Sequence, residues 1–138
     1  MASEVVCVVY CENTCLRVYY KKRGVMRMTR EKIMEIVRIY AEEAYKIYGK
    51  ALKSVILFGS CARGDFDEES DIDLMVLLDV PTQQIPAERR KMRKTADRLD
   101  LEYDCVISAA FQNYHTFEKD LEASAFYANI AKEGLKVG

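Results

Sequence analysis

Apolar residues between Thr29 and Gly49 recur with the 3.6-residue period of an amphipathic helix. Thr29 is a residue type that caps helix N-termini, and glycine readily ends helices at the other end. We therefore predict a helix from Thr29 to Gly49. The positions predicted to face the core are Ile33, Ile36, Val37, Tyr40, Ala44 and Ile47.

Two shorter apolar segments follow this helix and have the pattern of strands. Ser54–Phe58 is a β-rich run that ends at Gly59-Ser60, which predicts a buried strand that breaks into a turn. After a polar loop, Asp71–Leu78 alternates between two faces and predicts a second strand.

The C-terminal half continues the alternation of helices and strands. We predict a helix over 87–101, a third strand over 102–107 and a last helix over 114–133, with Gly134 as its stop. The predicted fold class is therefore α/β (α+β), with a small mixed sheet flanked by helices.

Residues 1–24 differ in pattern from the rest of the chain. Their apolar run, Val5–Tyr10, follows Glu4 instead of a basic segment and fits neither a secretory signal nor a membrane span. We predict an N-terminal extension of uncertain structure over 1–24, one domain over 25–138, and a cytoplasmic protein.

Composition narrows the class of protein. Among 138 residues, 50% are hydrophobic and 31% charged, as expected for a folded domain with one core. A net charge of -1 argues against binding to bulk DNA. Arginines and lysines between Arg89 and Arg98 indicate either a solvated helix face or contact with an acidic partner or nucleic acid. The odd number of cysteines favours free thiols; they are Cys7, Cys11, Cys15, Cys61 and Cys105.

Candidate chemistry begins with two aspartates on one face of the second strand. Asp71 and Asp73 point the same way because side chains alternate along a strand. Two neighbouring carboxylates repel each other unless a cation neutralises them, and Mg²⁺ prefers such oxygen ligands. Asp104, on the predicted third strand, is a candidate third metal ligand, and Glu102 is the alternative candidate. Three converging carboxylates can hold two cations about 3.5–4 Å apart.

A candidate phosphate site precedes these acids. Gly59 lets the backbone approach a ligand closely, and Ser60 offers a hydroxyl and an N–H group. Arg63 either neutralises a phosphate or forms a salt bridge with the acidic loop that follows, and the sequence leaves both readings open.

These segments carry a family resemblance. Phe58-Gly-Ser-Cys-Ala-Arg-Gly-Asp65 and Ser70-Asp-Ile-Asp-Leu-Met-Val76 resemble the signature of the DNA polymerase β-like nucleotidyltransferase superfamily, in its minimal single-domain branch. The resemblance extends from about residue 29 to 138 and implies the polymerase β-like fold. It also implies that Asp71, Asp73 and Asp104 are catalytic metal ligands, with Gly59 and Ser60 in the nucleotide-phosphate turn.

The resemblance further implies a reaction and a partner. The minimal branch is similar to antitoxins that pair with a HEPN-domain ribonuclease toxin. These antitoxins transfer AMP from ATP to a tyrosine of the toxin. The resemblance implies that the enzyme binds Mg²⁺, and two ions are expected. The expected partners are thus a nucleoside triphosphate and a HEPN toxin, in an oligomer or hetero-complex. Two alternatives stay open: a small-molecule, antibiotic-type nucleotidyltransferase, and an antitoxin that binds its toxin without catalysis.

Overall fold

A computed structural model describes residues 28–138 in full and, before them, the backbone of two strands, Val5–Glu12 and Cys15–Lys22. These two strands, β1 and β2, pair antiparallel with each other and form a sheet separate from the main one. The side chains of Cys7, Cys11 and Cys15 lie outside the described residues. Cys61 and Cys105 are buried and do not form disulfides, as predicted.

The main domain alternates helices and strands. Its elements are α1 (Arg30–Tyr48), β3 (Leu52–Phe58), α2 (Ser60–Arg63), β4 (Ile72–Leu78), α3 (Ile85–Lys91), α4 (Arg93–Tyr103), β5 (Ile107–Asn113), α5 (Tyr114–Lys119), α6 (Ala125–Glu133) and β6 (Leu135–Lys136). The predicted first helix is confirmed, since the side chain of Thr29 accepts a hydrogen bond from Lys32 N and Gly49 follows the last residue. Five of its six predicted core positions are buried, whereas Ile47 is exposed, because the last turn of the helix extends beyond the core.

The four strands form one mixed sheet in the order β5-β4-β3-β6. β3 is antiparallel to both of its neighbours, whereas β4 and β5 run parallel. The predicted fold class, a small mixed sheet flanked by helices, is thus confirmed.

Helices cover both faces of this sheet. One face packs against α1, α3 and α4 through residues such as Leu57, Leu74 and Val76, all fully buried. The opposite face, with Met75 and Leu77, packs against Phe117 of α5 and Ile130 of α6. Asp73 belongs to this second face, because alternate residues of β4 share a side.

Three predicted elements differ from the structure. The helix predicted over 87–101 is two helices, α3 and α4, which meet at Met92. The third strand is not 102–107: residues 102 and 103 end α4, and the strand is Ile107–Asn113. The predicted helix over 114–133 is two helices, α5 and α6, separated by residues 120–124. Among the described helices, none is both long and apolar enough to cross a membrane.

Candidate active site

Gly59 and Asp73 meet at one end of the β3–β4 pair. Phe58, the last residue of β3, lies opposite Asp73 in the antiparallel register. Gly59 then turns the chain with a φ of 73°, in the left-handed region that favours glycine. A Cβ atom at this position would lie 2.5 Å from Oδ2 of Asp73. The glycine of the turn therefore makes room for the Asp73 carboxylate.

Asp71 stands beside Asp73, immediately before β4. Its backbone oxygen accepts a hydrogen bond from Sγ of Cys61 at 3.3 Å, which ties it to α2. A turn precedes it, in which Asp67 Oδ1 accepts hydrogen bonds from Glu69 N and Ser70 Oγ. The part of the acidic run next to the site thus positions Asp71.

The two carboxylates influence each other electrostatically. The pKa of Asp73 is raised, chiefly by burial and then by the negative charge of Asp71, while Arg63 opposes the rise. The contribution of Asp71 to this rise is the repulsion that the sequence predicted at Asp73. A cation bound between the two side chains would relieve it.

Arg63 forms ion pairs within the site. Its Nε lies 3.4 Å from Oδ2 of Asp65, and its Nη1 lies 3.8 Å from Oε2 of Glu133 on α6. The salt bridge to the acidic loop, one of the two readings of the sequence, is therefore present. Both pairs are about half exposed, and such pairs exchange partners at small cost, so phosphate binding by Arg63 stays a prediction.

Asp104 does not lie on a strand, contrary to the sequence prediction. It follows α4 in the left-handed conformation, with a φ of 51°, three residues before β5 begins. Ser108 is the β5 residue opposite Asp73. Within residues 28–138, no group of three or more His, Cys, Asp or Glu side chains is arranged to hold a metal ion. Asp104 as third ligand stays a prediction, and Glu102 lies on α4.

The residues that the structure does bring together suit Mg²⁺. Asp71 and Asp73 offer hard carboxylate oxygens, and burial together with the charge of Asp71 raises the pKa of Asp73. Mg²⁺ is commonly held by one or two carboxylates together with waters and substrate phosphates. The exposed Asp71 and the half-buried Asp73 fit that pattern.

Asp100 is a site neighbour that the sequence analysis missed. Its Oδ1 accepts a hydrogen bond from Ile107 N at 2.9 Å, and Ile72 N donates to Val106 O at 2.8 Å. These bonds fix the start of β5 beside the start of β4. Burial raises the pKa of Asp100 to about 7, the Ile107 hydrogen bond opposes this, and Asp97 and Asp71 contribute to the rise.

We expect Asp100→Asn to remove a pH dependence of stability. Because the folded-state pKa lies above the ordinary 3.8, wild-type stability falls as the pH rises from about 4 to about 7. Allowing for the solvent that reaches this carboxyl, the loss is about 1–2 kcal/mol. Asparagine keeps the acceptor for Ile107 N. Urea unfolding at pH 4.5 and 7.5 measures the difference, and parallel wild-type and variant curves would contradict it.

Comparison with known proteins places this geometry in a family. The family model described as nucleotidyltransferase domain matches residues 33–136. A Methanocaldococcus jannaschii protein named "Putative protein adenylyltransferase MJ0141" is 44% identical over 106 residues, which cover 76% of this chain and 98% of that protein. A second protein of that organism, "Putative protein adenylyltransferase MJ0604", is 37% identical over 67% of this chain and 93% of its own length.

Solved structures give weaker similarity. A toxin–antitoxin crystal structure with AMP-PNP covers 73% of this chain and 72% of its own, with a TM-score of 0.44 and 16% identity. The matched region of the family model includes Gly59 and Asp73, which meet at the end of β3 and β4, together with their chain neighbours Ser60 and Asp71. The chain therefore belongs to the nucleotidyltransferase domain family and is a nucleotidyltransferase.

Proposed function

We propose that this enzyme transfers AMP from ATP to a hydroxyl acceptor in a Mg²⁺-dependent reaction at the Asp71–Asp73 edge. The observation that supports this most directly is the contact between the Gly59 turn and the Asp73 carboxylate, with Asp71 close enough to raise the pKa of Asp73. Backbone N–H groups of the Gly59 turn can contact the phosphates, and the carboxylates of Asp71 and Asp73 can bind the metal.

The proposed chemistry is a displacement at the α-phosphorus. The acceptor oxygen forms a bond to this phosphorus, the bond to the oxygen between the α- and β-phosphates breaks, and pyrophosphate leaves with that oxygen. Bound Mg²⁺ would neutralise the charge that develops on the phosphate oxygens. The residues of the chain supply positioning: Asp71 and Asp73 orient the reacting groups, and Asp104, by resemblance, is a candidate to assist loss of the hydroxyl proton.

The proposed acceptor is a tyrosine of a HEPN-domain ribonuclease toxin, which the adenylylation would silence. Two considerations support it: the resemblance to the minimal antitoxin branch, and the names of the archaeal relatives, which describe protein adenylyltransferases. Asp71 and Arg63 are exposed, so a partner protein can reach this edge of the sheet.

The test is the intact mass of a candidate HEPN-domain toxin after incubation with the enzyme, ATP and Mg²⁺. We expect a gain of one or more AMP units, located on a tyrosine by peptide mapping, and no gain with EDTA. Inhibition of toxin ribonuclease activity without any mass gain would instead identify a binding antitoxin. An unmodified toxin, with AMP transferred to aminoglycosides, would identify a small-molecule enzyme.

We expect deletion of residues 1–24 to leave AMP transfer unchanged, within about twofold. The family match begins at residue 33, and β1 and β2 pair only with each other among the strands. Activity assays and thermal unfolding of the full-length and shortened chains measure this. A shortened chain that fails to fold would show that these residues belong to the domain.

A further inference from the structure

An exposed aromatic side chain lies beside the candidate active site. Phe126, the second residue of α6, is 53% exposed, whereas the other four phenylalanines of the chain are half-buried or buried. An aromatic ring contributes a large apolar surface when it packs against a partner, and this ring leaves much of that surface in water. Phe126 is therefore a candidate contact for a ligand, and its surroundings indicate which ligand.

Phe58 connects this ring to the Asp71–Asp73 edge. The ring centroids of Phe126 and Phe58 are 5.7 Å apart, and the two rings are nearly perpendicular, at 86°. Phe58 is the antiparallel partner of Asp73, so their side chains share a face of the sheet, with Cβ atoms about 4.5–5.5 Å apart. Phe126 therefore lies one aromatic ring away from the Asp73 carboxylate, on the same face of the sheet.

The start of α6 holds the ring in a fixed position. Ser124 caps the helix, since its Oγ accepts a hydrogen bond from Tyr127 N at 3.3 Å. The hydroxyl of Tyr127 accepts a hydrogen bond from Nε2 of Gln112 on β5 at 2.8 Å. Ile130, one turn after Phe126, is buried against the sheet. Because its neighbours are anchored, Phe126 loses little backbone freedom when a ligand stacks on it.

The same side of α6 also reaches the candidate phosphate site. Phe126, Ile130 and Glu133 are spaced at i, i+4 and i+7, so they lie along one side of the helix. Oε2 of Glu133, at the end of this row, lies 3.8 Å from Nη1 of Arg63. Arg63 is the candidate phosphate ligand beside the Gly59 turn. One side of α6 thus joins an aromatic ring to the cation that is expected to contact the phosphates.

The two sides of Asp73 differ in chemistry. The β3 side carries the rings of Phe58 and Phe126, and β3 leads directly into the Gly59 turn. On the β5 side, the partner of Asp73 is Ser108, which is small, polar and exposed. Aromatic rings stack on nucleobases, whereas a small polar residue leaves room for the acceptor hydroxyl. The base belongs to the same molecule as the phosphates, so we expect it on the β3 side.

We propose that the ring of Phe126 stacks on the base of the bound nucleotide and that this contact sets the nucleotide affinity of the Asp71–Asp73 edge. The proposal rests on the proposed function, because it places the phosphates at the Gly59 turn. Stacking uses the flat face of the base and therefore favours purines, whose rings are larger, over pyrimidines. The enzyme should bind purine triphosphates more tightly than pyrimidine triphosphates.

Calorimetric titration of the full chain with α,β-methylene-ATP and Mg²⁺ tests the proposal without the transfer reaction, because the methylene bridge of this analogue blocks release of pyrophosphate. We expect Phe126→Ala to weaken binding of the analogue about tenfold or more, and Phe126→Trp, which keeps an aromatic ring, to stay within about threefold of the wild type. Inorganic triphosphate, which has no base, should bind equally to the wild type and to Phe126→Ala.

Tyr45→Ala is the matched control. Tyr45 is an aromatic residue of α1 that is 64% exposed, and α1 covers the face of the sheet opposite Asp73. This variant should bind the analogue like the wild type. Thermal unfolding shows that each variant is folded. In assays of AMP transfer, Phe126→Ala should raise the KM for ATP and leave kcat within about twofold, since stacking binds substrate and transition state alike.

Unchanged binding of the analogue in Phe126→Ala would overturn the proposal, as would the absence of binding in the wild type. An equal loss of affinity for inorganic triphosphate would also overturn it, because the substitution would then act on the phosphate site. A raised KM for the acceptor protein alone would assign the ring to the acceptor instead of the base. If binding of the analogue depends on Phe126 but no toxin is modified, the stacking contact is supported and only the proposed acceptor is refuted.

Discussion

Asp73→Asn is expected to lower AMP transfer by about 10³-fold or more while leaving the fold intact, because a carboxylate that holds the metal contributes several kcal/mol to the transition state. The substitution removes a partly buried charge whose pKa is raised by burial and by Asp71. The variant should therefore unfold at the same temperature as the wild type or above it. Incorporation of labelled AMP and thermal unfolding measure the two effects.

Asp79→Asn is the matched control for this variant. Asp79 follows the last residue of β4, at the opposite end of the strand from Asp73, and lies near Lys53 and His115. The same chemical change there should leave activity within about twofold, since exposed ion pairs contribute little. Full activity of Asp73→Asn would refute the assignment of the metal ligand.

The proximity of Asp73 to the Gly59 turn could be predicted because the sequence signals for it are local. Ser54–Phe58 and Asp71–Leu78 are apolar β-rich runs, and the Gly59 turn joins the first to the acidic loop. β3 and β4 are neighbours in both sequence and space, and their antiparallel register pairs Asp73 with Phe58, next to the Gly59 turn. No distant contact was needed for this part of the site.

The third strand could not be predicted in this way. Ile107–Asn113 contains Ser, Ala, Gln and Asn, which are weak strand formers, and its pairing with the buried β4 decides its conformation. The end of α4 carries no glycine signal, because Asp104 adopts the left-handed conformation there. The sequence analysis therefore began the strand five residues early and placed Asp104 on it.

The position of Asp100 depends on tertiary packing. In the sequence, Asp100 is one of several charged residues in the helix predicted over 87–101. Only the packing of this part of the chain against the sheet brings its Oδ1 to Ile107 N at the start of β5 and raises its pKa by burial. No local pattern along the chain reveals such a contact.

Gly59→Ala is expected to lower AMP transfer by about 10²-fold, because the new Cβ would lie 2.5 Å from Oδ2 of Asp73 and displace that carboxylate. It should also destabilise the fold by about 1–3 kcal/mol, since alanine is strained at a φ of 73°. Steady-state kinetics and urea unfolding measure the two losses separately.

Gly49→Ala separates these two causes. Gly49 also has a positive φ, of 56°, but a Cβ there would have no atom within 4 Å. This control should lose a similar amount of stability and keep its activity, because it strains the backbone far from Asp73. Combined with Asp73→Asn, Gly59→Ala should cost no further activity, since the carboxylate that it displaces is already gone. Equal activity losses in the two glycine variants would mean that the Gly59 turn acts through stability alone, and that its contact with Asp73 does not position the metal ligand.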